Sequence, residues 1–256
     1  MTQVILNCTK HGQEERGKPG LLIVHGLYGS ARNWGVVAKR LSDARHVVAV
    51  DVRNHGSSPW FETHSYHDMA DDLADSITSL GGSWDVLGHS MGGKAAMVLA
   101  LTSPELVNRL MVADIAPVKY GHSQIQHINS MKGVDVSLVK NRSDVANQLS
   151  GTIDDMSLIS FFAQSFDMRE KVWRLNLDTL AREMPKILDF PYLETEYSKP
   201  ALFLSGANSD YVKREHREII RRLFPASQFA KIPGTGHWLH SEKPREFEAA
   251  IRVWLG

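Results

Sequence analysis

The sequence predicts a layered α/β domain, a mainly parallel sheet with helices on both faces. Three observations carry this. Short apolar runs of strand length recur along the chain, stretches of helical period separate them, and glycine-rich turns stand where the runs end. Strands alternating with helices are the mark of βαβ units, whose crossovers cover both faces of a sheet.

The elements follow in order. Leu21-Leu22-Ile23-Val24 is a buried-strand run, followed by Gly26, Gly29 and Ser30, and Val47-Val48-Ala49-Val50 is a second. Over residues 66–80, Met69, Leu73, Ile77 and Leu80 step by 4, 4 and 3, the period of a helix, and Gly81-Gly82 stops it. Asp85-Val86-Leu87 is a short strand. Met91 to Leu101 is a helix of small residues ended by Pro104, and Leu110-Met111-Val112-Ala113 is another strand. Between about 118 and 198 the rhythm breaks. No strong β-branched run occurs there, and apolar residues fall at helical spacing, as in Ile159, Phe162, Ala163 and Phe166, or Leu177, Leu180, Met184 and Ile187. The stretch reads as an insertion of three or four helices. The alternation resumes with a strand Ala201–Leu204, a basic amphipathic helix over 213–223, a strand from Gln228 to Ile232 and a helix over 245–255. Thr2 to Cys8 supplies one strand or two.

Composition narrows the function classes. The chain has 256 residues, 43% hydrophobic and 23% charged, values ordinary for a folded water-soluble domain and far from a disordered one. Lys+Arg and Asp+Glu both number 29, so there is no electrostatic footprint for nucleic acid or an anionic membrane, and neither is expected as a partner. Cys8 is the single cysteine, which excludes an intrachain disulfide and a cysteine zinc cluster. A reducing compartment, the cytoplasm, is the expected location. Met1 to Lys10 has no basic segment followed by an apolar one, and no apolar run approaches roughly 18 residues, so neither a secretory leader nor a membrane span is expected.

The chemistry is carried by Gly88-His89-Ser90-Met91-Gly92, a G-x-S-x-G placed between a predicted strand and a predicted helix. That context gives the motif its meaning. Glycines around the serine let strand and helix approach closely, and the sharp turn pushes the hydroxyl clear of the sheet edge. Without it, the same five residues are a tight turn with an inert serine. A serine needs a base, and the base needs an acid to orient it. His237, in Gly234-Thr235-Gly236-His237-Trp238 after the last predicted strand, is the expected base. His25 and His89 adjoin glycines in the right loops and read better as turn-holding residues, and His240 reads as a surface residue. The amides of Leu27 and Met91 are the expected oxyanion donors, the second at a helix N-terminus where the dipole favours negative charge. Two acids fit. Asp114 follows the strand ending at Ala113, and Asp210 follows the strand Ala201–Leu204; both preserve the order serine, acid, histidine, so order does not decide.

Leu22-Ile23-Val24-His25-Gly26, Asp51-Val52-Arg53-Asn54-His55-Gly56-Ser57-Ser58, Gly88-His89-Ser90-Met91-Gly92 and Gly236-His237 together resemble the α/β-hydrolase superfamily over nearly the whole chain. Asp114-Ile115-Ala116-Pro117, Gly206-Ala207-Asn208-Ser209 and Gly236-His237-Trp238 are similar to small bacterial serine carboxylesterases with a helical lid, related to mitochondrial lid-bearing hydrolases. The resemblance implies one α/β-hydrolase domain over 1–256 with a sheet of seven or eight strands and a lid at about 118–198. It also implies hydrolysis of esters or acyl thioesters with no cofactor and no metal, and an acid drawn from the earlier strand, Asp114. C–C hydrolases, perhydrolases and acyltransferases use the same three groups, and a non-catalytic binding module is a further alternative.

Other clusters have plainer readings. Asp68, Asp71, Asp72 and Asp75 share a helical face and read as solvated, and so do Arg214, Arg217, Arg221 and Arg222. Phe161, Phe162, Phe166 and Trp173 are core residues of the insertion, with Phe162 and Phe166 expected to line a pocket beneath it. Tyr28 and Trp238 neighbour the expected active site and are candidate pocket walls.

Overall fold

The computed structural model describes residues 3–14 and 17–256. In chain order the strands are β1 (Cys8–His11), β2 (Leu21–Val24), β3 (Val47–Val50), β4 (Trp84–His89), β5 (Val107–Ala113), β6 (Phe166–Asp167), β7 (Val172–Trp173), β8 (Ala201–Gly206) and β9 (Ser227–Ile232). Seven of them form one sheet in the order β1-β3-β2-β4-β5-β8-β9, while β6 and β7 make a separate hairpin. β1 runs antiparallel to β3, and every other neighbouring pair in the large sheet is parallel. The mainly parallel sheet is the one expected. Its first strand begins only at Cys8, because the amides of Val4 and Asn7 are taken by side chains, Asp75 and Ser58. Thr2 lies outside the described residues.

β2, β3 and β4 are buried along their whole length, and β2 and β3 accordingly read as unbroken apolar runs rather than as alternating ones. Alternate side chains feed two cores. Leu22, Val24, Val48 and Val50 join one, and Leu21, Ile23, Val47 and Ala49 join the other. α1 (Gly35–Leu41) packs on the second core; α2 (Tyr66–Leu80) and α3 (Met91–Thr102) pack on the first. α2 starts at a reciprocal cap between Ser65 and Asp68 and ends at Gly81, whose φ of +82° only glycine adopts readily. Between β5 and β8 lie α4 (Ile125–Lys132), α5 (Arg142–Leu149), α6 (Met156–Gln164), the β6–β7 hairpin and α7 (Leu177–Leu188). α8 (Arg217–Leu223), α9 (Leu239–Glu242) and α10 (Pro244–Leu255) complete the chain. Among the described residues no helix is long and apolar enough to cross a membrane.

The face of α2 that bears Asp68, Asp71, Asp72 and Asp75 is not simply solvated. Asp72 is buried and holds the Arg53 guanidinium through two bonds of 2.6 and 2.7 Å. A buried carboxylate requires such a partner, and Arg53, on the loop after β3, is remote in sequence. Arg217 is likewise partly spoken for, its guanidinium 4.9 Å from the centre of the Phe229 ring.

Candidate active site

The close approach of β4 and α3 sets the site. A Cβ on Gly88 would stand 2.3 Å from the Gly92 carbonyl oxygen, and one on Gly92 would stand 2.4 Å from the carbonyl oxygens of Val24 and His25. No side chain fits at either position. Ser90, between them, takes φ 53° and ψ −122°, a conformation costly for any residue with a Cβ. The turn carries its hydroxyl to the C-terminal edge of the sheet.

The neighbouring strand does the same for Asp114. This residue follows β5 directly, also has φ 53°, and is fully buried. One carboxylate oxygen accepts the Gly206 amide at 3.0 Å. The other accepts the Ser209 hydroxyl and, at 2.8 Å, Nδ1 of His237. Because a carboxylate only accepts, Nδ1 carries the proton and Nε2 is left as an acceptor. Nε2 lies 3.0 Å from Ser90 Oγ, in line to receive the hydroxyl proton. The structure therefore brings together Ser90, His237 and Asp114. Asp210, the alternative acid, is exposed, and among the described residues its side chain makes no hydrogen bond or ion pair.

His237 stands on the loop between β9 and α9. Its backbone is held on three sides: Glu242 accepts the amides of Gly236 (2.9 Å) and Trp238 (3.2 Å), and His89 Nε2–H donates to the His237 carbonyl (2.9 Å). Its ring stacks on Tyr211 with centroids 4.0 Å apart. Tyr211 and Glu242 did not stand out in the sequence, and Ser209 did so only within Gly206-Ala207-Asn208-Ser209, with no role of its own. Ser209 and Tyr211 owe their places to Asp114 and His237, on other loops, which no local pattern signals; Glu242 caps amides only six and four residues before it.

Leu27 and Met91 line the same cavity as Ser90, and among the described residues neither amide has a hydrogen-bond partner: Leu27 is in a loop and Met91 opens α3. The loop before them is held by two buried imidazoles. His25 donates from Nδ1 to the Gly26 carbonyl (2.8 Å) and accepts the Val52 amide at Nε2 (3.0 Å). His55 donates to the Arg53 carbonyl (3.0 Å) and accepts the Tyr28 amide (3.1 Å). Each must be neutral to accept, and burial lowers the pKa of both.

A cavity of about 240 Å³ opens beside Ser90, lined on its apolar side by Tyr28, Met91, Phe161, Phe162 and Trp238. Tyr28 and Phe162 meet edge to face (5.4 Å), as Phe161 and Trp238 pack at 4.8 Å. Phe166 is a correction: it does not line this cavity. α6 stops at Gln164, so the helical spacing that aligned Phe166 with Phe162 ends before it, and Phe166 packs on Trp173 inside the β6–β7 hairpin (5.2 Å). Phe161, three residues after Leu158 on α6, takes that place in the lining. His240 is a second correction. It is no surface residue but stacks on Trp34 at 4.4 Å, and burial pushes its pKa to about 3.

Such an arrangement can take a proton from a hydroxyl, hold the resulting imidazolium against a buried carboxylate, and receive negative charge on two free amides.

Comparison with known proteins agrees with this geometry. A model of the alpha/beta hydrolase family matches residues 21–250. The chain is 41% identical over 252 residues to the sn-1-specific diacylglycerol lipase ABHD11 of Mus musculus, covering 93% of this chain and 81% of that protein. It is 34% identical to the esterase YbfF of Escherichia coli (strain K12), with 95% of each chain covered. A solved marine microorganism esterase superposes with a TM-score of 0.92 at 36% identity, covering 98% of this chain and 99% of that one. On the seven-stranded sheet, the strand–serine–helix turn and these relationships, the chain belongs to the alpha/beta hydrolase family.

Proposed function

We propose that the protein is a serine carboxylesterase that cleaves small-molecule esters through an acyl-enzyme. The observation that carries this is the unbroken line from the buried Asp114 carboxylate through His237 to the Ser90 hydroxyl, at 2.8 and 3.0 Å. Ser90 attacks the ester carbonyl while His237 Nε2 takes its proton. The amides of Leu27 and Met91 hold the oxyanion, which in such sites is the largest single contribution to rate. The tetrahedral intermediate collapses as His237 protonates the leaving alcohol. Water, activated by the same imidazole, then attacks the acyl-serine, and the acid leaves with Ser90 restored. Asp114 keeps the proton on Nδ1 throughout. Each step moves one proton between adjacent groups and calls for no cofactor.

The insertion over about 118–198 acts as a lid, and Tyr28, Phe161, Phe162 and Trp238 form the wall against which the acyl chain lies. Acyl thioesters meet the same groups and are the second substrate class. The single cysteine, Cys8, is free and exposed, which suits the cytoplasm.

The test is a fluorophosphonate probe, which labels an activated serine, together with p-nitrophenyl esters and an acyl thioester. The wild-type protein is labelled and turns over at least one substrate class. Folded Ser90→Ala takes no label and loses several orders of magnitude in kcat. A folded Ser90→Ala that keeps most of its kcat overturns the mechanism.

A further inference from the structure

Lys94 is the one fully buried lysine among the described residues, and the reaction above does not use it. It lies one turn beyond Ser90 on α3, its amide bonded to the Ser90 carbonyl (3.1 Å). The ammonium donates to three backbone carbonyls: Val118 at 2.8 Å, Leu188 at 3.1 Å and Asp189 at 2.7 Å. Three donors meet three acceptors, so none is spare. Val118 belongs to the segment where the chain leaves β5 for the insertion; Leu188 closes α7, and Asp189 caps it. One cation thus joins the two stems of the insertion.

The position suits a charge. The last carbonyls of a helix lack partners within it and form the negative end of its dipole. α7 receives its capping cation from the helix that begins beside Ser90. Two aromatic faces cover the ammonium, Tyr120 at 4.8 Å and Tyr66 at 5.6 Å. Their polar groups reinforce the same stem: Tyr120 N–H donates to Leu188 (2.9 Å) and Tyr66 O–H to Ile187 (2.5 Å). Lys94, Tyr66, Tyr120, Ile187 and Leu188 all line the cavity beside Ser90, so the atoms that anchor the stems also form its wall.

We infer that Lys94 is a positioning residue for acyl specificity: by tying both stems of the insertion to the active-site helix, it fixes the shape of the pocket that receives the acyl chain. This rests on the reading of the cavity as an acyl pocket. Burial brings the ammonium down to about 7, against the pull of the Asp189 carboxylate. The other groups facing it are Tyr66 from α2, Tyr120 and His122 from the leading stem, and Asp189 from the trailing stem. Burial raises both phenols and lowers His122. Loss of the Lys94 proton removes one of the three donors and loosens the stems.

The test compares wild type with Lys94→Met and Lys94→Gln on p-nitrophenyl octanoate and acetate, alongside hydrogen exchange of the intact chain. Expected is a fall of about tenfold or more in the octanoate-to-acetate ratio of kcat/KM, the range one changed pocket contact spans. Faster exchange should be confined to the stems around 116–120 and 186–190. In the wild type the ratio should fall as pH rises through about 7, since His237 acts on both esters alike and cancels. The wild-type profile decides if neither variant folds. A ratio within twofold of wild type, stems that stay protected in folded variants, or a wild-type ratio flat with pH overturns the inference. Exchange is read without turnover. Absent hydrolysis of both esters by wild type refutes the esterase reading instead.

Discussion

Replacing Asp114 by asparagine changes one atom and puts the whole proton path at stake. In the structure one carboxylate oxygen accepts the Gly206 amide, and the other accepts the Ser209 hydroxyl and His237 Nδ1–H. The substituted amide would have one oxygen and one NH₂. The Gly206 amide can only donate, so the oxygen must take its side. The NH₂ then faces His237, and Nδ1 can only accept from it. The proton moves to Nε2, which points at Ser90 Oγ from 3.0 Å and can no longer take the hydroxyl proton. The opposite rotamer sets NH₂ against the Gly206 N–H, two donors in a fully buried site. Both rotamers are wrong, and the first is the milder. A wrong tautomer in a triad of this kind costs about 10⁴ in kcat, or about 5.5 kcal/mol of barrier. Ser209 can turn its hydroxyl to accept, so the fold survives. The assay is saturating turnover of a p-nitrophenyl ester by Asp114→Asn and by Asp210→Asn, each checked for native circular dichroism. Asp210→Asn should stay within a few-fold of wild type. Folded Asp114→Asn with a tenth or more of wild-type kcat, or the large loss falling on Asp210→Asn, refutes the reasoning.

The cavity lining predicts that Phe161→Ala and Phe162→Leu shift the preferred acyl length, while folded Phe166→Leu does not; profiles across a series of p-nitrophenyl esters check this. Gly92→Ala drives a Cβ to 2.4 Å from two backbone oxygens, an overpacking that costs about 1–3 kcal/mol or more, read as a lower urea midpoint with reduced turnover. Acid should weaken the fold. Burial holds His64 and His240 neutral with pKa values of about 3, below the ordinary value near 6.5. Between these limits the unfolded chain binds more protons, so stability is full above about 6.5 and is lost as pH falls toward 3. By pH 5.5 each imidazole costs about 1.4 kcal/mol relative to high pH. Urea melts at about pH 7.5 and 5.5 test it, equal stability at the two being the contrary result.

What could be read from the sequence was what short-range physics decides. Gly88 and Gly92 betray the Ser90 turn because two close approaches lie within five residues, and buried parallel strands such as Leu21–Val24 and Val47–Val50 announce themselves as apolar runs. Asp114 could be placed at a strand end, but only the resemblance, not local pattern, favoured it over Asp210, since the choice depends on which carboxylate meets a loop more than a hundred residues later. Lys94 looked like part of a small-residue helix because its three acceptors lie on two distant stems. Asp72 and Phe166 went astray because period says which residues share a face, not what covers that face or where the helix stops, and His240 because nothing near it in the chain announces Trp34.

Ser90 and Asp114 stand at the ends of adjacent strands with the same φ of 53°, a region that glycine occupies freely. Each conformation costs roughly 1–3 kcal/mol where a Cβ is present. On the proposed mechanism, selection for a durable protein and selection for turnover therefore pull in opposite directions at Ser90. A descendant relieved of its chemistry would shed that strain by drifting to glycine at Ser90, whereas glycine at Asp114 would strip three donors of their acceptor. Ser90 would thus be the first to record a lapse of enzymatic purpose in the lineage, while Asp114 and the buried strands stayed unchanged.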